Sequence, residues 1–206
     1  MRGLQVRVLL GVPLFFMFIV FEGIDGTGKS TQVKLLADAF RAKGREVIVS
    51  KEPTDGPHGT RLRQSAETGR LSAQEELDLF HIDRREHVET LIKPSLARGA
   101  VVILDRYYFS TMAYQGIRGF DPGEIRKINE KFAPIPDLVF ILELDLDSAL
   151  SRIGVRDGQA NEFEQRDALK KCHDVFASLQ DEFVRRIDAE QSPAEVHEKI
   201  LRSLTL

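Results

Sequence analysis

The 206-residue sequence has little cysteine and no surplus of basic charge. The single cysteine, Cys172, excludes a disulfide within the chain, fits a reducing compartment and is interpreted as a packing residue. The 29 Lys and Arg residues are outweighed by 32 Asp and Glu residues, so no global basic field favours nucleic acid as a partner. A composition that is 42% hydrophobic and 30% charged also excludes a collagen-like or mostly disordered chain, and the length suits one domain.

A long apolar segment is absent as well. Residues 8–21 are apolar apart from Gly11 and Pro13, but a membrane-spanning helix needs roughly 20 such residues. No small-residue cleavage site follows this run, as a secretory signal would require. We therefore expect residues 1–16 to be an extension or an upstream mis-start, and residues 17–206 to form a single domain. A cytoplasmic protein with no membrane partner is expected.

Short apolar runs alternate with helical patterns along the chain, which predicts a parallel sheet covered by helices. The runs are nearly continuous, as is typical of strands that are buried on both faces. They occur at residues 17–22, 46–50, 100–105, 138–144 and 183–188. The sequence therefore predicts a three-layer α/β fold with a five-stranded parallel sheet between helices.

Helix boundaries are marked by capping signals. Residues 29–43 have helical spacing, with Gly44 where a left-handed cap belongs. Capping residues that begin three further helices are Ser72, Asp121 and Ser192. Two loops are predicted, one in the Pro- and Gly-rich residues 52–60 and one in residues 154–161, where small and polar residues interrupt an arginine-bearing helix.

The strongest chemical signal is a phosphate-binding loop. The segment from Gly23 to Ser30 matches G-x-x-x-x-G-K-[ST] at every fixed position, between a predicted strand and a predicted helix. Its glycines let backbone N–H groups turn toward an anion, and the helix N-terminus adds its dipole. Lys29 can reach the β- and γ-phosphates, and the Ser30 hydroxyl can ligate Mg²⁺. The predicted ATP-binding residues are Gly23, Gly26, Thr27, Gly28, Lys29, Ser30 and Thr31.

A second signal, Asp105 followed by Arg106, stands at the end of the third predicted strand. Strand C-termini are where open α/β sheets form their ligand crevices. A carboxylate at this position can hold hydrated Mg²⁺, and an arginine can clamp the oxygens of a transferring phosphoryl group. The guanine-reading signature N-K-x-D is absent, which lowers the case for a GTPase.

The chain from residue 17 to the C-terminus resembles the bacterial thymidylate kinases, P-loop kinases of nucleoside monophosphates. The resemblance lies in FIVFEGIDGTGKSTQ (residues 18–32), LFHIDR (79–84) and ILDRYYFSTMAYQ (103–115). It implies the P-loop kinase fold with a mobile lid at about residues 151–164. It also implies Mg²⁺-dependent transfer of the γ-phosphoryl group from ATP to dTMP, in a homodimer.

The resemblance implies a role for each residue of the acceptor site. Asp25 would accept a hydrogen bond from the deoxyribose 3′-hydroxyl, and Tyr114 would crowd the 2′ position and so reject ribonucleotides. Phe80 would stack on thymine, Arg84 would donate to a thymine carbonyl, and Gln115 would contact the base. The substrate-binding residues implied in this way are Asp25, Lys51, Pro53, Phe80, Arg84, Arg106, Tyr114, Gln115 and Phe163.

The implied catalytic residues are Lys29, Asp105, Arg106, Arg152 and Arg156, with Ser30 and Asp105 as the Mg²⁺ ligands. Arg152 and Arg156 would come from the lid, because this chain has Gly26 where some family members carry a basic residue. Lids of this kind close over the substrates and exclude water.

The chain departs from the family pattern at two positions. Lys51 replaces the usual arginine of Arg-Glu-Pro, and lysine supplies charge without a bidentate fork, so binding of the acceptor phosphate would be weaker or shared with Arg61 or Arg63. Glu162 replaces an arginine that many bacterial members have after the lid. The resemblance also suggests a cis peptide bond between Glu52 and Pro53.

Two alternatives remain open at this point. One is a P-loop kinase that acts on another nucleoside monophosphate, although Asp25 and Tyr114 argue against it. The other is a nucleotide-binding regulatory subunit without catalysis, which the substitutions at Lys51 and Glu162 make conceivable.

Overall fold

The computed structural model describes residues 17–157 and 162–204, and of residues 67, 155–157 and 162–165 it describes the backbone only. The predicted extension, residues 1–16, lies outside the described residues. Among the residues that are described, no helix is both long enough and apolar enough to cross a membrane.

Five parallel strands form one sheet, as the sequence predicts. The strands are β1 (Met17–Glu22), β2 (Val47–Lys51), β3 (Val101–Asp105), β4 (Leu138–Glu143) and β5 (Val184–Asp188). Their order across the sheet is β2-β3-β1-β4-β5. The first predicted strand matches at both ends, and the ends of the other four are shifted by a single residue where they differ. Because every neighbouring pair is parallel, the carboxyl ends of all five strands meet at one edge.

Helices cover both faces of the sheet. They are α1 (Lys29–Ala42), α2 (Pro57–Thr68), α3 (Ala73–His87), α4 (Lys93–Ala97), α5 (Tyr108–Gly116), α6 (Pro122–Glu130), α7 (Leu146–Asp157), α8 (Glu162–Ala177) and α9 (Pro193–Ser203), with a π-helical segment, Val88–Ile92, between α3 and α4. The three predicted caps are confirmed, since Ser72, Asp121 and Ser192 each accept a hydrogen bond from the backbone N–H three residues on.

The alternation of side chains along the strands divides the core into two layers. On one face, Ile19 and Phe21 of β1 pack with α1 and α9. On the other face, Phe18 and Val20 pack with α3, α5, α6 and α8. The predicted three-layer α/β fold is therefore confirmed, and Glu22, the last residue of β1, lies on the same face as Phe18 and Val20.

Two expectations about loops are wrong in part. The loop predicted at residues 52–60 is shorter, because α2 begins at Pro57, where proline suits the first helical turn. The interruption predicted at Gly154 does not occur, since α7 continues to Asp157. Leu146, Leu150 and Ile153 pack against the core at helical spacing, and this packing outweighs the low helix propensity of one glycine. The rest of that predicted loop, residues 158–161, lies outside the described residues.

Candidate active site

The phosphate-binding loop connects β1 to α1 and is built on close backbone packing. Gly23 and Gly26 have φ values of +135° and +83°, a region that side chains rarely adopt. A Cβ atom at Gly23 would stand 2.5 Å from the Leu142 carbonyl oxygen, and one at Gly26 would stand 2.9 Å from that of Ala149. Glycine is therefore required at both positions for the loop to curl above the sheet edge.

Lys29 folds back over this loop. Its Nζ donates to the carbonyl oxygens of Gly23, at 3.1 Å, and Ile24, at 2.8 Å. Burial lowers the pKa of Lys29 to about 7, and the positive charge of Arg106 contributes to the same shift. An anion bound in the loop would offset both effects, which fits the predicted contact of Lys29 with phosphates.

Ser30 and Asp105 come together at the end of β3. The Ser30 Oγ donates to Asp105 Oδ2 at 2.5 Å, although the two residues are 75 positions apart. A hydroxyl and a carboxylate are oxygen donors of the kind that Mg²⁺ prefers, and Mg²⁺ usually takes only one or two protein ligands beside water and phosphate. The donor set therefore fits the predicted magnesium site.

Asp25, Arg106 and Tyr114 converge beside the phosphate-binding loop. The Arg106 Nη2 donates to Asp25 Oδ1 at 2.6 Å, and the Tyr114 hydroxyl donates to Asp25 Oδ2 at 3.3 Å. The guanidinium also lies 5.1 Å from the centre of the Tyr114 ring. Three residues predicted to contact the sugar and the acceptor phosphate thus form one cluster.

Neighbouring groups keep the Asp25 carboxyl ionised. Burial by itself would raise the pKa of this carboxyl, but the charges of Arg106 and Lys29 and the hydrogen bond from Tyr114 outweigh burial and lower the pKa. Asp25 therefore stays ionised, and a hydroxyl placed beside it would donate a hydrogen bond to its carboxylate.

Arg84 lies in a buried polar network and only 1% of its surface is exposed. Its Nε donates to Glu52 at 2.7 Å, its Nη1 to Asn129 at 2.8 Å and its Nη2 to Thr111 at 2.8 Å. One N–H on each of Nη1 and Nη2 is not used in these bonds, and the contact with a thymine carbonyl stays a prediction. The Oε1 atom of the same Glu52 lies 2.9 Å from His87 Nδ1 and accepts from it in the His87 tautomer that carries the Nδ1 proton.

Three other residues that were predicted to bind the substrate are Phe80, Pro53 and Gln115. Phe80 is half-buried on α3. Pro53 is half-buried and follows a cis peptide bond with Glu52, as predicted. Gln115 is fully buried, and its Nε2 donates to Glu76 Oε1 at 3.0 Å, while its Oε1 has no partner among the described residues.

Lys51 shares an open pocket of about 560 Å³ with Ser30 and Asp105. Its Nζ forms a 3.0 Å ion pair with Asp55, and Arg63 Nη2 reaches the same carboxylate oxygen at 3.0 Å. Of the two arginines named as possible helpers of Lys51, Arg63 is therefore the one that shares a partner with it.

Arg152 extends from α7 over the phosphate-binding loop. Its guanidinium lies 3.4 Å from the Gly26 carbonyl oxygen and 3.3 Å from that of Ala189, which follows β5. The guanidinium therefore lies above the predicted ATP site. The side chains of Arg156, Glu162 and Phe163 lie outside the described residues, so their predicted roles stay predictions.

One residue at this edge was missed by the sequence analysis. Glu22, the last residue of β1, is fully buried, and its carboxylate accepts hydrogen bonds from the Tyr107 and Ser110 backbone N–H groups and from the Ser110 hydroxyl. The sequence did carry a signal for Glu22, because it is the single carboxylate in an otherwise apolar strand. Carboxylates are rarely fully buried unless they have partners.

Glu22 leads to a prediction about pH. Burial raises the pKa of Glu22 from 4.5 to about 7, and its hydrogen bonds and the charge of Arg106 offset only part of that effect. Between these two values the folded protein holds a proton that the unfolded chain has released. The free energy of unfolding should therefore fall as the pH rises through this window, by about 3 kcal/mol.

Urea unfolding of the wild-type protein and of Glu22→Gln between pH 4.5 and 8 measures this contribution. We expect the wild-type protein to lose stability relative to the variant as the pH rises, because glutamine does not titrate. Parallel stability profiles for the two proteins would contradict the assignment.

Comparison with known proteins shows that the chain is similar to thymidylate kinases. The sequence model of the thymidylate kinase family matches residues 21–200. A thymidylate kinase of Akkermansia muciniphila is 53% identical over 188 residues, which cover 91% of each chain. Thymidylate kinases of Xanthomonas campestris pv. campestris and Xanthomonas oryzae pv. oryzae are 52% and 51% identical over 164 residues, 80% of this chain and 72% of theirs.

Proposed function

The chain belongs to the thymidylate kinase family, and we propose that it performs the family's reaction with the residues gathered at the carboxyl edge of its sheet. That reaction transfers the γ-phosphoryl group of ATP to dTMP and gives dTDP and ADP. The observation that carries the residue assignment is the cluster of Asp25, Arg106 and Tyr114 beside the phosphate-binding loop.

On the ATP side, the loop backbone from Gly23 to Thr31 would cradle the phosphates, and Lys29 would contact the β- and γ-phosphates. The position of Arg152 between Gly26 and Ala189 supports a contact with bound ATP. Arg156 would join it when the lid, at about residues 151–164, closes and excludes water.

On the acceptor side, Asp25 would receive the 3′-hydroxyl of dTMP, and Arg106 would bridge the acceptor phosphate. In-line phosphoryl transfer is catalysed mainly by positioning and charge neutralisation, so a guanidinium held beside the loop supplies what the reaction needs. The location of Lys51 in the pocket that contains Ser30 and Asp105 supports a share in binding the acceptor phosphate, with Arg63 nearby.

On the base side, Phe80 would stack on thymine and Arg84 would donate to a thymine carbonyl, with Pro53, Gln115 and Phe163 completing the site. Ser30 and Asp105 would hold Mg²⁺, which when bound neutralises phosphate charge. The short contact between their oxygens supports this assignment.

We also propose that the protein is a homodimer in the cytoplasm and that residues 17–206 form its single kinase domain. Ile82 on α3 is 45% exposed, a large apolar side chain of the kind that a subunit interface covers. Sedimentation velocity tests this arrangement directly, and a monomer at micromolar concentration would contradict it.

A coupled ADP-release assay tests the residue assignment and the acceptor. It uses ATP and Mg²⁺ with dTMP, dUMP, UMP, CMP, AMP, GMP and thymidine as acceptors. We expect strong preference for dTMP and no turnover of thymidine, which lacks the acceptor phosphate. Preference for another monophosphate would support the alternative kinase, and ATP binding without acceptor-dependent turnover would support a regulatory subunit.

Tyr114 carries a specific prediction about the sugar. We expect Tyr114→Ala to raise kcat/KM for ribothymidine monophosphate relative to dTMP by about tenfold, because the ring no longer fills the space beside the 2′ position. Tyr114→Phe keeps the ring and loses only the hydroxyl that donates to Asp25, so it should still reject the ribonucleotide. An unchanged ratio in Tyr114→Ala would show that another group reads the sugar.

A further inference from the structure

Glu22 makes an unusual set of contacts for the last residue of a buried strand. Its Oε1 accepts from the Tyr107 N–H at 2.8 Å and from the Ser110 N–H at 3.2 Å, and its Oε2 accepts from the Ser110 hydroxyl at 2.6 Å. These donors stand at the start of α5, immediately after Arg106. One carboxylate therefore binds the first turn of the helix that follows the catalytic arginine.

The contacts continue to the Arg106 guanidinium. The Ser110 Oγ that donates to Glu22 also accepts from Arg106 Nη1 at 2.9 Å. The other terminal nitrogen, Nη2, donates to Asp25. The guanidinium is thus fixed from two sides, by Asp25 directly and by Glu22 through a single hydroxyl.

The backbone of Arg106 needs the same support. Its φ is +71°, the one positive value of a non-glycine residue in the described part of the chain. Such a conformation is strained and persists only where the surroundings hold it. The Arg106 N–H donates to Phe21, at 2.9 Å, and the next N–H, of Tyr107, donates to Glu22. Adjacent residues of β1 therefore hold both sides of the strained residue.

A purely structural role does not require a carboxylate at this point. Complete burial raises the pKa of Glu22 to about 7, so ionisation at this position is costly. A neutral amide oxygen could accept the two backbone bonds equally well. The carboxylate adds an acceptor for the Ser110 hydroxyl proton. Because Ser110 donates to Glu22, its oxygen lone pairs are free to accept from Arg106.

We propose that Glu22 is a positioning residue that holds Arg106, through Ser110 and the first turn of α5, in the orientation that binds the acceptor phosphate. The proposal rests on the proposed function, in which Arg106 contacts that phosphate. Glu22 itself touches neither substrate.

The test compares the affinities of dTMP and thymidine, which differ only by the phosphate. In Glu22→Gln the amide would donate to Ser110 and compete with Arg106 for its lone pairs. We expect the preference for dTMP over thymidine to fall by about tenfold, the size of one hydrogen bond to a charged group, with thymidine affinity unchanged. Calorimetric titration of both ligands measures this ratio. Equal losses for both ligands, or an unchanged ratio, would overturn the proposal.

A double-mutant cycle supplies the second readout. Glu22→Gln should lower kcat by about tenfold in the wild-type background and by less than about twofold in the Arg106→Ala background, because the two residues act as a unit. Equal factors in both backgrounds would assign Glu22 a structural role. Ser110→Ala removes the bridging hydroxyl while leaving the two N–H bonds of Glu22, and should reproduce the loss of phosphate preference even if Glu22→Gln folds poorly.

The matched control is Glu143→Gln. Glu143 ends the neighbouring strand β4, and its carboxylate pairs with Arg186 at 2.7 Å. We expect this variant to keep both the phosphate preference and kcat. Turnover of dTMP by the wild-type protein tests the proposed function separately, since the affinity ratio needs no turnover. A wild-type protein that binds dTMP no better than thymidine would overturn the role of Arg106 and that of Glu22 together.

Discussion

Replacing Arg106 with alanine is expected to lower kcat by about a hundred- to a thousandfold, with a smaller rise of about tenfold in KM for dTMP. Negative charge spreads over the transferred group in the transition state, so a fixed cation there acts more strongly on the rate than on ground-state binding. Steady-state kinetics with dTMP and ATP varied in turn measure the two effects separately.

The surroundings of Arg106 explain why the expected loss is large. The guanidinium is bonded to Asp25 at 2.6 Å and to Ser110 at 2.9 Å, so it does not need to be ordered at the moment of reaction. Its removal also leaves Asp25 without its ion-pair partner. Arg106→Lys retains the charge without the fork that reaches both partners and should recover only part of the rate.

Arg98→Ala is the matched control for this experiment. Arg98 pairs with Glu46 on the surface at 2.8 Å, and about half of each side chain is exposed. We expect this change to leave kcat within about twofold, because exposed ion pairs contribute little. If Arg106→Ala raises KM for dTMP strongly while kcat stays constant, Arg106 is a binding residue and not a catalytic one.

Replacing Arg84 with methionine is expected to destabilise the protein by about 3–5 kcal/mol. The change leaves the Glu52 carboxylate buried without its 2.7 Å partner, and it removes donors from Asn129 and Thr111. For a domain of this size such a loss lowers Tm by about 10 °C. Urea unfolding and thermal melts measure both quantities.

Two variants separate the effect of the unpaired buried charge on stability from the effect of the lost side-chain volume. Glu52→Gln combined with Arg84→Met removes the unpaired charge and should recover part of the lost stability. Arg98→Met, at an exposed pair, should cost less than about 1 kcal/mol. A loss below 1 kcal/mol in Arg84→Met would show that Glu52 is satisfied without Arg84, for example by His87, its other neighbour at 2.9 Å.

Arg84→Met also bears on the base site. A protein that remains folded should bind thymidine more weakly, because the predicted donor to the thymine carbonyl is gone. Unchanged thymidine affinity in the folded variant would limit Arg84 to its structural network.

The sequence by itself determined the parts of this protein that depend on neighbours along the chain. The phosphate-binding loop, the capping boxes and the buried strands could be predicted, because glycine spacing, side-chain caps and apolar runs act over a few residues. The same local rules were wrong at Gly154, where contacts of Leu150 and Ile153 with the core carry α7 onward.

Only the tertiary structure decided which charges meet. Arg84 was predicted as a base contact, and its partners in the fold lie 27 to 45 positions away, on segments that come together when α3 packs against α5. Glu22 shows the same limit, since its donors are 85 and 88 positions away. A buried charge takes its partners from the groups that the fold brings within hydrogen-bonding distance, because burial removes water as an alternative. No pattern along the chain records that distance.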